Sequence, residues 1–457
     1  MKFSYIETLL LALLAGKTGD AASISRRQSA GSGTVDLVKT TGDATALGSA
    51  FIYGFPDNGT DASTAIPDHF VTDIKFRASR AGGAQIPEKG WIGGLEAYIA
   101  RFESALSNYR TTRKYGGDFI LLPHDLWGSD GGAGANALYP GDNGDWTETE
   151  NFLHRLIDDL KANDMLEGLV IDIWNEPDLD IFWARSWEQY LDYYVRANNI
   201  IRELLPETLI SGPSAANSPS LDNEKWEAWA AKIAENDAVP DIYSWHQIGS
   251  WEREPDTTIP DLNTLLENHG LPQRPVDVNE YAAVEEQNPA NSVFYLSQLE
   301  RHDIRGLRAN WGSGNGLHDN MGNLIWNGGS GYFPNGEWQL YKYYASMTGD
   351  RVATTASEDR LFDVFATKTN DTVKIIAGTR TVDQAYEVQV SGLSTLGLPI
   401  DGSIDVRSLR FDWGGYQVEV GDPVDLGTES YDYSSDKLVI PVDPPTNSAA
   451  FAYEISF

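Results

Sequence analysis

The chain has 457 residues, of which 41% are hydrophobic, and it contains no cysteine. This length allows a large domain plus a smaller one, with a sizeable core. The absence of cysteine excludes cysteine nucleophiles, thiolate zinc sites and iron–sulfur clusters. With 67 acidic and 34 basic residues, the formal net charge is −33. Such a surface repels phosphate backbones, which argues against a nucleic-acid partner.

The first residues have the pattern of a secretory signal peptide. A basic residue precedes the apolar run from Leu9 to Ala15, and Ala21-Ala22 offers a small-residue cleavage site. The apolar run is too short to span a membrane. We therefore expect a signal peptide over residues 1–22, a propeptide or lead-in over residues 23–45, secretion to the extracellular medium, and no membrane partner. Arg26-Arg27 looks like a dibasic processing site of the fungal type.

The surface chemistry fits the same interpretation. An acidic surface suits an extracellular enzyme that acts on neutral substrates, although it equally serves plain solubility. Two sequons, Asn58-Gly59-Thr60 and Asn370-Asp371-Thr372, are typical of a secreted glycoprotein, although sequons also arise by chance.

Between residues 46 and 348, short apolar strands alternate with amphipathic helical stretches. Eight such units in series predict a parallel (β/α)8 TIM barrel and not an open sheet, in the α/β class. The predicted strands are Leu47–Gly54, Asp73–Ala78, Asp118–Pro123, Leu169–Trp174, Thr208–Gly212, Asp241–His246, Pro275–Asn279 and Gly306–Trp311. The predicted helices are Gly94–Tyr109, Thr147–Asn163, Trp187–Leu205, Asn223–Asn236, Pro260–His269, Ser292–His302 and Glu337–Ser346.

The last part of the chain, residues 349–457, has a different pattern. Helical periodicity gives way to alternating runs separated by Gly, Asp and Pro turns, which predicts a C-terminal antiparallel β-sandwich. The segment Thr34–Lys39 also alternates and is a candidate to pair with this sandwich from the N-terminal side.

Two of the predicted barrel strands end in the same dipeptide, Asn-Glu. Strand four ends at Trp174-Asn175-Glu176-Pro177, and strand seven ends at Asn279-Glu280-Tyr281. Barrel enzymes carry their chemistry at these strand ends, and strands four and seven face each other across the mouth. Two glutamates there can flank one glycosidic bond as acid/base and nucleophile. Either glutamate alone could belong to a turn or a solvated loop, but the pair in this order favours catalysis.

Other polar side chains near strand ends are candidates to assist the two glutamates. Asn175 is placed to bond a sugar hydroxyl, and Arg77 or Arg80, near the end of strand two, could keep the nucleophile charged. His124 and Asp125 end strand three and favour recognition of hydroxyl groups, with a capped turn as the alternative.

Tryptophans near the strand ends could stack on sugar rings. Trp311, which closes strand eight, is the strongest candidate among them, and the others are ordinary core residues if they are buried. The four are Trp127, Trp174, Trp311 and Trp338.

The motif Trp174-Asn175-Glu176-Pro177 resembles the acid/base motif of clan A glycoside hydrolases. Members of this clan are retaining enzymes, with the acid/base after strand four and the nucleophile after strand seven. The resemblance implies these roles for Glu176 and Glu280. With the appended sandwich, the chain is most similar to secreted fungal members of glycoside hydrolase family 39, which includes β-xylosidases and α-L-iduronidases.

The chain departs from the clan pattern near the end of strand six. Many members carry a His followed by a Tyr that touches the nucleophile. Here the strand ends Trp245-His246-Gln247-Ile248, so His246 fits the pattern but the Tyr is missing. Tyr243 and Tyr281 are candidates to replace it, and the hydrogen-bond partner of the nucleophile stays open.

The expected activity is retaining hydrolysis of a glycosidic bond in a plant or microbial glycan, with exo action of the β-xylosidase type. One alternative is an endo-acting glycanase, and another is an exo-glycosidase for arabinose, galactose or a further sugar. A non-catalytic carbohydrate-binding protein is a third, although it predicts loss of one carboxylate. The expected partner is an oligosaccharide or polysaccharide, with no cofactor and no metal, since no pair of histidines has ligand spacing. The oligomeric state stays open.

Overall fold

A closed barrel of eight parallel strands forms the centre of the protein in a computed structural model, which describes residues 27–84, 86–249, 253–310 and 315–457. Parallel pairing runs from strand to strand, and the last strand closes on the first, with Leu307 beside Ala50. In chain order the strands are β1 (Ser32–Asp43), which lies outside the barrel, and then β2 (Ala50–Ile52), β3 (Ala78–Ala81), β4 (Asp118–Leu121), β5 (Leu169–Asp172), β6 (Leu209–Ala215), β7 (Ile242–Gln247), β8 (Val276–Tyr281) and β9 (Arg305–Arg308).

Amphipathic helices surround the barrel, and side chains cap several of them at their first turn. In the fifth helix, buried Tyr190, Tyr194, Ala197 and Ile201 follow the spacing of one helical face, and Ser186 caps its start. The helices are α1 (Asp68–Thr72), α2 (Leu95–Lys114), α3 (Pro123–Trp127), α4 (Thr147–Ala162), α5 (Trp187–Leu204), α6 (Glu224–Glu235), α7 (Pro255–Asn268), α8 (Pro289–Arg301), α9 (Asn315–His318) and α10 (Gly336–Ser346).

The second barrel strand lies later in the chain than the sequence predicts. The predicted strand begins at Asp73, whereas β3 begins at Ala78. The segment between α1 and β3 turns instead, because Lys75 adopts a left-handed backbone with φ of 51° and Ile74 is buried. This shift moves Arg77 to the N-terminal end of the strand and Arg80 towards its C-terminal end.

The second unit is a nine-stranded, mostly antiparallel sheet that curves around its own apolar core. A short separate hairpin of β10 (Ile325–Asn327) and β11 (Tyr332–Pro334) precedes it. The sheet combines β1 with β12 (Asp350–Thr355), β13 (Phe362–Lys368), β14 (Thr372–Thr379), β15 (Tyr386–Ser391), β16 (Gly402–Phe411), β17 (Val424–Tyr433), β18 (Lys437–Val442) and β19 (Ala450–Ser456). The predicted architecture, a TIM barrel with a β-sandwich, is confirmed.

Strand β1 lies in the middle of this sheet and not at an edge. It pairs antiparallel with β12 on one side and parallel with β15 on the other. Its buried side chains, Val35 and Leu37, enter the sandwich core. The predicted signal peptide, residues 1–22, lies outside the described residues.

Helix α8 joins the barrel to the sheet and is buried along almost its whole length. One apolar cluster contains Val293 and Leu296 of α8 together with Phe365 and Ile376 of the sheet. Close backbone approach makes this packing possible, since a Cβ atom on Gly378 would lie 2.4 Å from the carbonyl oxygen of Ala290. Within the described residues, none of the helices is both long and apolar enough to cross a membrane.

Candidate active site

Glu176 and Glu280 come together at the C-terminal ends of the barrel strands. Glu176 follows β5 and Glu280 is the penultimate residue of β8. A carboxylate oxygen of one lies within 4.8 Å of a carboxylate oxygen of the other. Both glutamates line a cavity of about 190 Å³, together with His124, Asp125 and Asn175. The carboxylates are therefore close enough to act on the two sides of one bond.

The backbone of Glu176 adopts an unusual conformation that directs its side chain. Its φ angle is 44°, in the left-handed region, and its N–H donates to the carbonyl oxygen of Ser214 over 2.9 Å. A non-glycine residue in this region costs roughly 1–3 kcal/mol and is often found at functional sites. The hydrogen bond to β6 holds the conformation in place.

Arg80 is the cation that contacts Glu280 and favours the ionised form of its carboxyl group. Its guanidinium donates to Glu280 Oε1 over 2.7 Å, to Asp172 Oδ2 over 2.8 Å and to the side-chain oxygen of Asn175 over 2.8 Å. The Arg80 side chain is 1% exposed. Burial lowers its pKa, but Asp172 and Glu280 outweigh burial and raise the pKa above the usual range. Arg80 therefore stays charged inside the barrel.

Asp172 anchors Arg80 from inside the barrel. It accepts hydrogen bonds from Ser214 over 2.7 Å and from the side-chain amide of Asn279 over 3.0 Å, in addition to the bond from Arg80. Burial raises the pKa of Asp172, while the charge of Arg80 and these hydrogen bonds oppose the rise. Asp172 is thus a buried, fully hydrogen-bonded residue of the barrel interior.

The two glutamates have different electrostatic surroundings. Burial raises the pKa of Glu176 to about 7, and the charge of Asp178 adds to this rise. Burial also raises the pKa of Glu280 above its usual value, although the charge of Arg80 and its hydrogen bond oppose this rise. Because the Arg80 guanidinium touches Glu280 directly, Glu176 is the member of the pair that keeps a proton near neutral pH.

His246 lies between the two carboxylates. Its Nδ1 shares a hydrogen bond of 2.7 Å with Glu176 Oε1 and lies 3.6 Å from Glu280 Oε2. Burial lowers the pKa of His246 to about 4, so the ring is neutral at the pH where Glu176 is half protonated. A neutral ring orients the acid without adding a charge beside it.

His124 and Asp125 form one wall of the cavity. His124 Nδ1 lies 3.0 Å from Asp125 Oδ1, and the hydroxyl of Tyr53 donates to the other oxygen of Asp125. The His124 ring packs edge-on against Trp174 and Phe182. These contacts fix the imidazole, whose buried Nε2 is unpartnered among the described residues. Such a nitrogen can bond a substrate hydroxyl.

Three of the predicted binding residues lie elsewhere. Arg77 precedes β3 at the opposite end of the strand, where it donates to the carbonyl oxygen of Thr45 over 2.5 Å. Trp127, the last residue of α3, is buried against Phe152 of α4 and donates to the carbonyl oxygen of Leu138. The hydroxyl of Tyr281 bonds to the carbonyl oxygen of Gly48, behind the strand. These three residues do not line the cavity, and of the two arginines offered as partners of the nucleophile, Arg80 and not Arg77 contacts Glu280.

The replacement predicted for the missing Tyr also needs correction. Tyr243 donates to the carbonyl oxygen of Pro272, and Tyr281 packs behind β8, so Arg80 provides the direct bond to Glu280 instead. Trp311 lies outside the described residues.

Several residues of the cavity were not among the predicted site residues, including two polar ones at strand ends. Tyr53 and Asn310 line it, and each follows the end of a barrel strand, β2 and β9. The rule that strand ends carry the chemistry could have identified both.

Glu176, His246 and Glu280 have, among the described residues, the composition and spacing of a cation site. Arg80 bonds to Glu280 over 2.7 Å, so a metal ion here would lie beside a guanidinium. Like charges at this distance repel strongly where water is excluded. The arrangement therefore suits proton transfer better than metal binding.

No protein-family model matches the chain. Among curated proteins, it is similar to the 3-O-α-D-galactosyl-α-L-arabinofuranosidase of Bifidobacterium longum subsp. longum, with 21% identity over 369 residues. The match covers 71% of this chain and 30% of that protein. The chain thus spans about a third of the length of its curated relative.

Solved structures share the complete architecture. A protein from Neocallimastix frontalis superimposes with a TM-score of 0.74 at 19% identity, covering 93% of this chain and 99% of the other. The α-L-arabinofuranosidase of Thermotoga maritima gives a TM-score of 0.58 at 13% identity, covering 93% and 100%. A glycoside hydrolase family 30 subfamily 8 xylanase from Clostridium acetobutylicum gives 0.55 at 14% identity, with the same coverage. The fold is therefore the one seen in this arabinofuranosidase and this xylanase.

Proposed function

We propose that this protein is a retaining glycoside hydrolase in which Glu176 is the acid/base and Glu280 the nucleophile. The observation that carries the proposal is the pair itself, with carboxylate oxygens within 4.8 Å and a guanidinium on Glu280 alone. Retaining enzymes hold their carboxyl groups about 5–5.5 Å apart, whereas inverting enzymes need about 6.5–9.5 Å to admit a water. The observed separation supports retention.

The reaction proceeds in two displacements. Glu176 donates its proton to the leaving oxygen while a carboxylate oxygen of Glu280 forms a bond to the anomeric carbon, and the glycosidic bond breaks. Water then donates a proton to Glu176 and attacks the same carbon, which releases Glu280 and the sugar. A pKa of about 7 suits Glu176 to both proton transfers. His246 orients Glu176 through its hydrogen bond of 2.7 Å.

For the substrate we propose a plant or microbial glycan, attacked from its end with β-xylosidase-like specificity, as the resemblance to family 39 suggests. The cavity of about 190 Å³ lies below the range of about 300–1,000 Å³ that holds drug-sized ligands. Its small size favours one sugar ring over a chain. A second candidate is release of α-L-arabinofuranose, favoured by the names of the Bifidobacterium and Thermotoga proteins.

Aryl glycosides of several pentoses and hexoses test both candidates. NMR of the first-formed sugar should show the anomer of the substrate, and an inverted anomer would contradict the mechanism. Glu280→Ala should lower kcat by roughly a millionfold, the scale on which removal of a nucleophile acts in other enzymes. Thermal unfolding provides the control for an intact fold, and activity within tenfold of wild type would refute the role of Glu280.

We also propose that the protein is secreted and glycosylated. The apolar N-terminal run supports secretion, and Asn58 and Asn370 are both exposed. Mass spectrometry of protein from the culture medium of a eukaryotic secretion host should find a start beyond residue 22 and glycan on both asparagines. An uncleaved chain retained in the cells would contradict the proposal.

A further inference from the structure

We propose that Arg380, a residue of the sandwich sheet, is a positioning residue for the active site. It holds together the loops that follow β7 and β8, and so fixes the backbone beside Glu280. This inference rests on the proposed role of Glu280 as the nucleophile. The sandwich sheet thereby contributes to the position of the catalytic residues.

Arg380 binds one buried carboxylate from each loop. Its Nη2 donates to Glu286 Oε1 over 2.9 Å, and its Nη1 donates to Glu254. The Arg380 side chain is 1% exposed, and those of Glu254 and Glu286 are 4% and 5% exposed. Two buried carboxylates so close together need a cation between them, because otherwise they repel each other.

Glu286, which Arg380 holds in position, accepts hydrogen bonds from the backbone of both loops. Its Oε2 accepts the N–H of Ala283 over 2.9 Å and, more weakly, the N–H of Gly249 over 3.4 Å. Gly249 follows the end of β7, and Ala283 follows the end of β8. The hydroxyl of Tyr295 donates to the same oxygen over 2.7 Å. One carboxylate thus ties the two strand exits together.

The tied backbone is directly continuous with the nucleophile. Ala283 is three residues after Glu280, and Ala282 between them is left-handed with φ of 68°. The side-chain amide of Gln287 adds a bond of 3.0 Å to the carbonyl oxygen of Ala309 at the end of the next strand. A shift of Glu286 therefore moves the chain that carries Glu280.

Packing of the sheet on α8 sets the position of Arg380. Gly378, two residues earlier, touches the backbone of Ala290 so closely that a side chain would collide. The N–H of Thr381 donates to the side-chain oxygen of Asn291 over 3.1 Å. The guanidinium lies 5.1 Å from the ring centre of Phe294. The arginine is therefore held in place before any substrate binds.

Arg351 provides a matched control. It is also a buried arginine of the sheet, and its guanidinium binds Glu300 near the other end of α8. Glu300 accepts the N–H of Leu47, which precedes β2 at the opposite face of the barrel. Arg351→Met and Arg380→Met remove the same kind of interface charge, but only the second lies beside the catalytic loops.

Hydrogen exchange gives a test that does not depend on turnover. In Arg380→Met, the amides of residues 282–288 should exchange at least about tenfold faster than in wild type, because Glu286 loses its anchor. In Arg351→Met they should exchange at the wild-type rate. Equal exchange in the two variants would overturn the proposal, even if the wild type cleaves none of the glycosides offered.

Kinetics on an aryl glycoside that the wild type cleaves give the second test. Arg380→Met should lower kcat by roughly a hundredfold, the cost of an ångström-scale displacement of a reacting group, with KM changed less than about threefold. Arg380→Lys should recover part of this loss, and Glu286→Gln, a milder change, should lower kcat in the same direction. Wild-type kcat in Arg380→Met would overturn the inference while leaving the role of Glu280 intact. Loss of turnover in wild type itself would refute the proposed function instead.

Discussion

Arg80 carries a positive charge where its side chain is 1% exposed, between Asp172 and Glu280. A guanidinium suits this position because its planar fork serves three acceptors at once, which a lysine ammonium cannot match geometrically. Its charge offsets the negative charge of Asp172 below and of Glu280 above. Asn175, bonded to the same guanidinium, is thereby aligned beside Glu176.

Replacing Arg80 by Met should change the pH dependence of kcat/KM. The enzyme needs Glu280 ionised and Glu176 protonated, so activity falls on the acid side as Glu280 gains a proton and on the basic side as pH rises through about 7. Loss of the cation raises the pKa of Glu280, so the acid limb should move up by about one to three pH units. The pH range in which the enzyme is active should therefore become narrower, and the maximal kcat/KM should be lower.

Arg77→Met is the matched control for this experiment. Arg77 lies three residues earlier, at the other end of the same strand, and donates to Thr45. Its loss should leave both limbs of the pH profile in place. An acid limb in Arg80→Met that coincides with that of wild type would refute the assignment.

The Arg80→Met variant also leaves Asp172 unpaired, which should lower the free energy of unfolding by about 3–5 kcal/mol, the cost of breaking a buried ion pair. Thermal unfolding must therefore confirm that this variant is folded.

At the scale of elements, α8 is the helix on which the two units meet. One of its faces packs on β9 and contacts β8 through the rings of Tyr295 and Tyr281. The other face packs on the sheet through Val293 and Leu296. The sequence pattern of α8 is accordingly not that of a surface helix, because both faces are covered. Its buried glutamate, Glu300, is paired with Arg351 of the sheet.

The close approach of β14 to α8 predicts the effect of a single methyl group. Gly378→Ala would place a Cβ atom 2.4 Å from Ala290 O and 2.8 Å from the Cβ of Val293. Such overpacking should lower the free energy of unfolding by about 1–3 kcal/mol. The measurement is denaturant or thermal unfolding, with Gly421→Ala as control because a Cβ there meets open space. Equal stability of the two variants would show that the helix can move away.

At the scale of the whole molecule, the first and the last strand of the described residues, β1 and β19, belong to the same sheet. Strand β1 lies between β12 and β15, so the barrel is inserted between a strand and the sheet to which that strand belongs. Buried ion pairs cross from barrel to sheet, including Arg301 with Asp363 and Arg380 with Glu286. The two units should therefore unfold together.

Removal of β1 tests this cooperativity. A chain that starts at Ala44 lacks the central strand and leaves the backbone groups of β12 and β15 unpaired inside the sheet. We expect it to lose the single unfolding transition in calorimetry and to aggregate, whereas a chain that starts at Gly31, one residue before β1, should behave as the full chain. A folded, active enzyme that starts at Ala44 would contradict this view.

Much of the fold and the central pair of the site could be predicted because their signals are local. The alternation of apolar strands with amphipathic helices predicts a barrel, and the order of strands alone brings Glu176 and Glu280 to one mouth. Whether Arg77 or Arg80 contacts Glu280 depends on where β3 begins. A left-handed turn at Lys75 sets that start, and no local pattern predicts it. The edge strand β17 carries no comparable local signal, because it is almost wholly exposed and has no regular apolar alternation.

The sequence by itself determined the class of fold and the two carboxylates, since periodicity and strand-end motifs are properties of neighbouring residues. The tertiary structure determined which arginine contacts which carboxylate. Arg80 reaches Glu280 across 200 positions of the chain, and Arg380 reaches Glu286 across 94. Burial is also a tertiary property. It raises the pKa of Glu176 and removes the Trp127 side chain from solvent. Electrostatics and packing depend on distances in space, which no local pattern specifies.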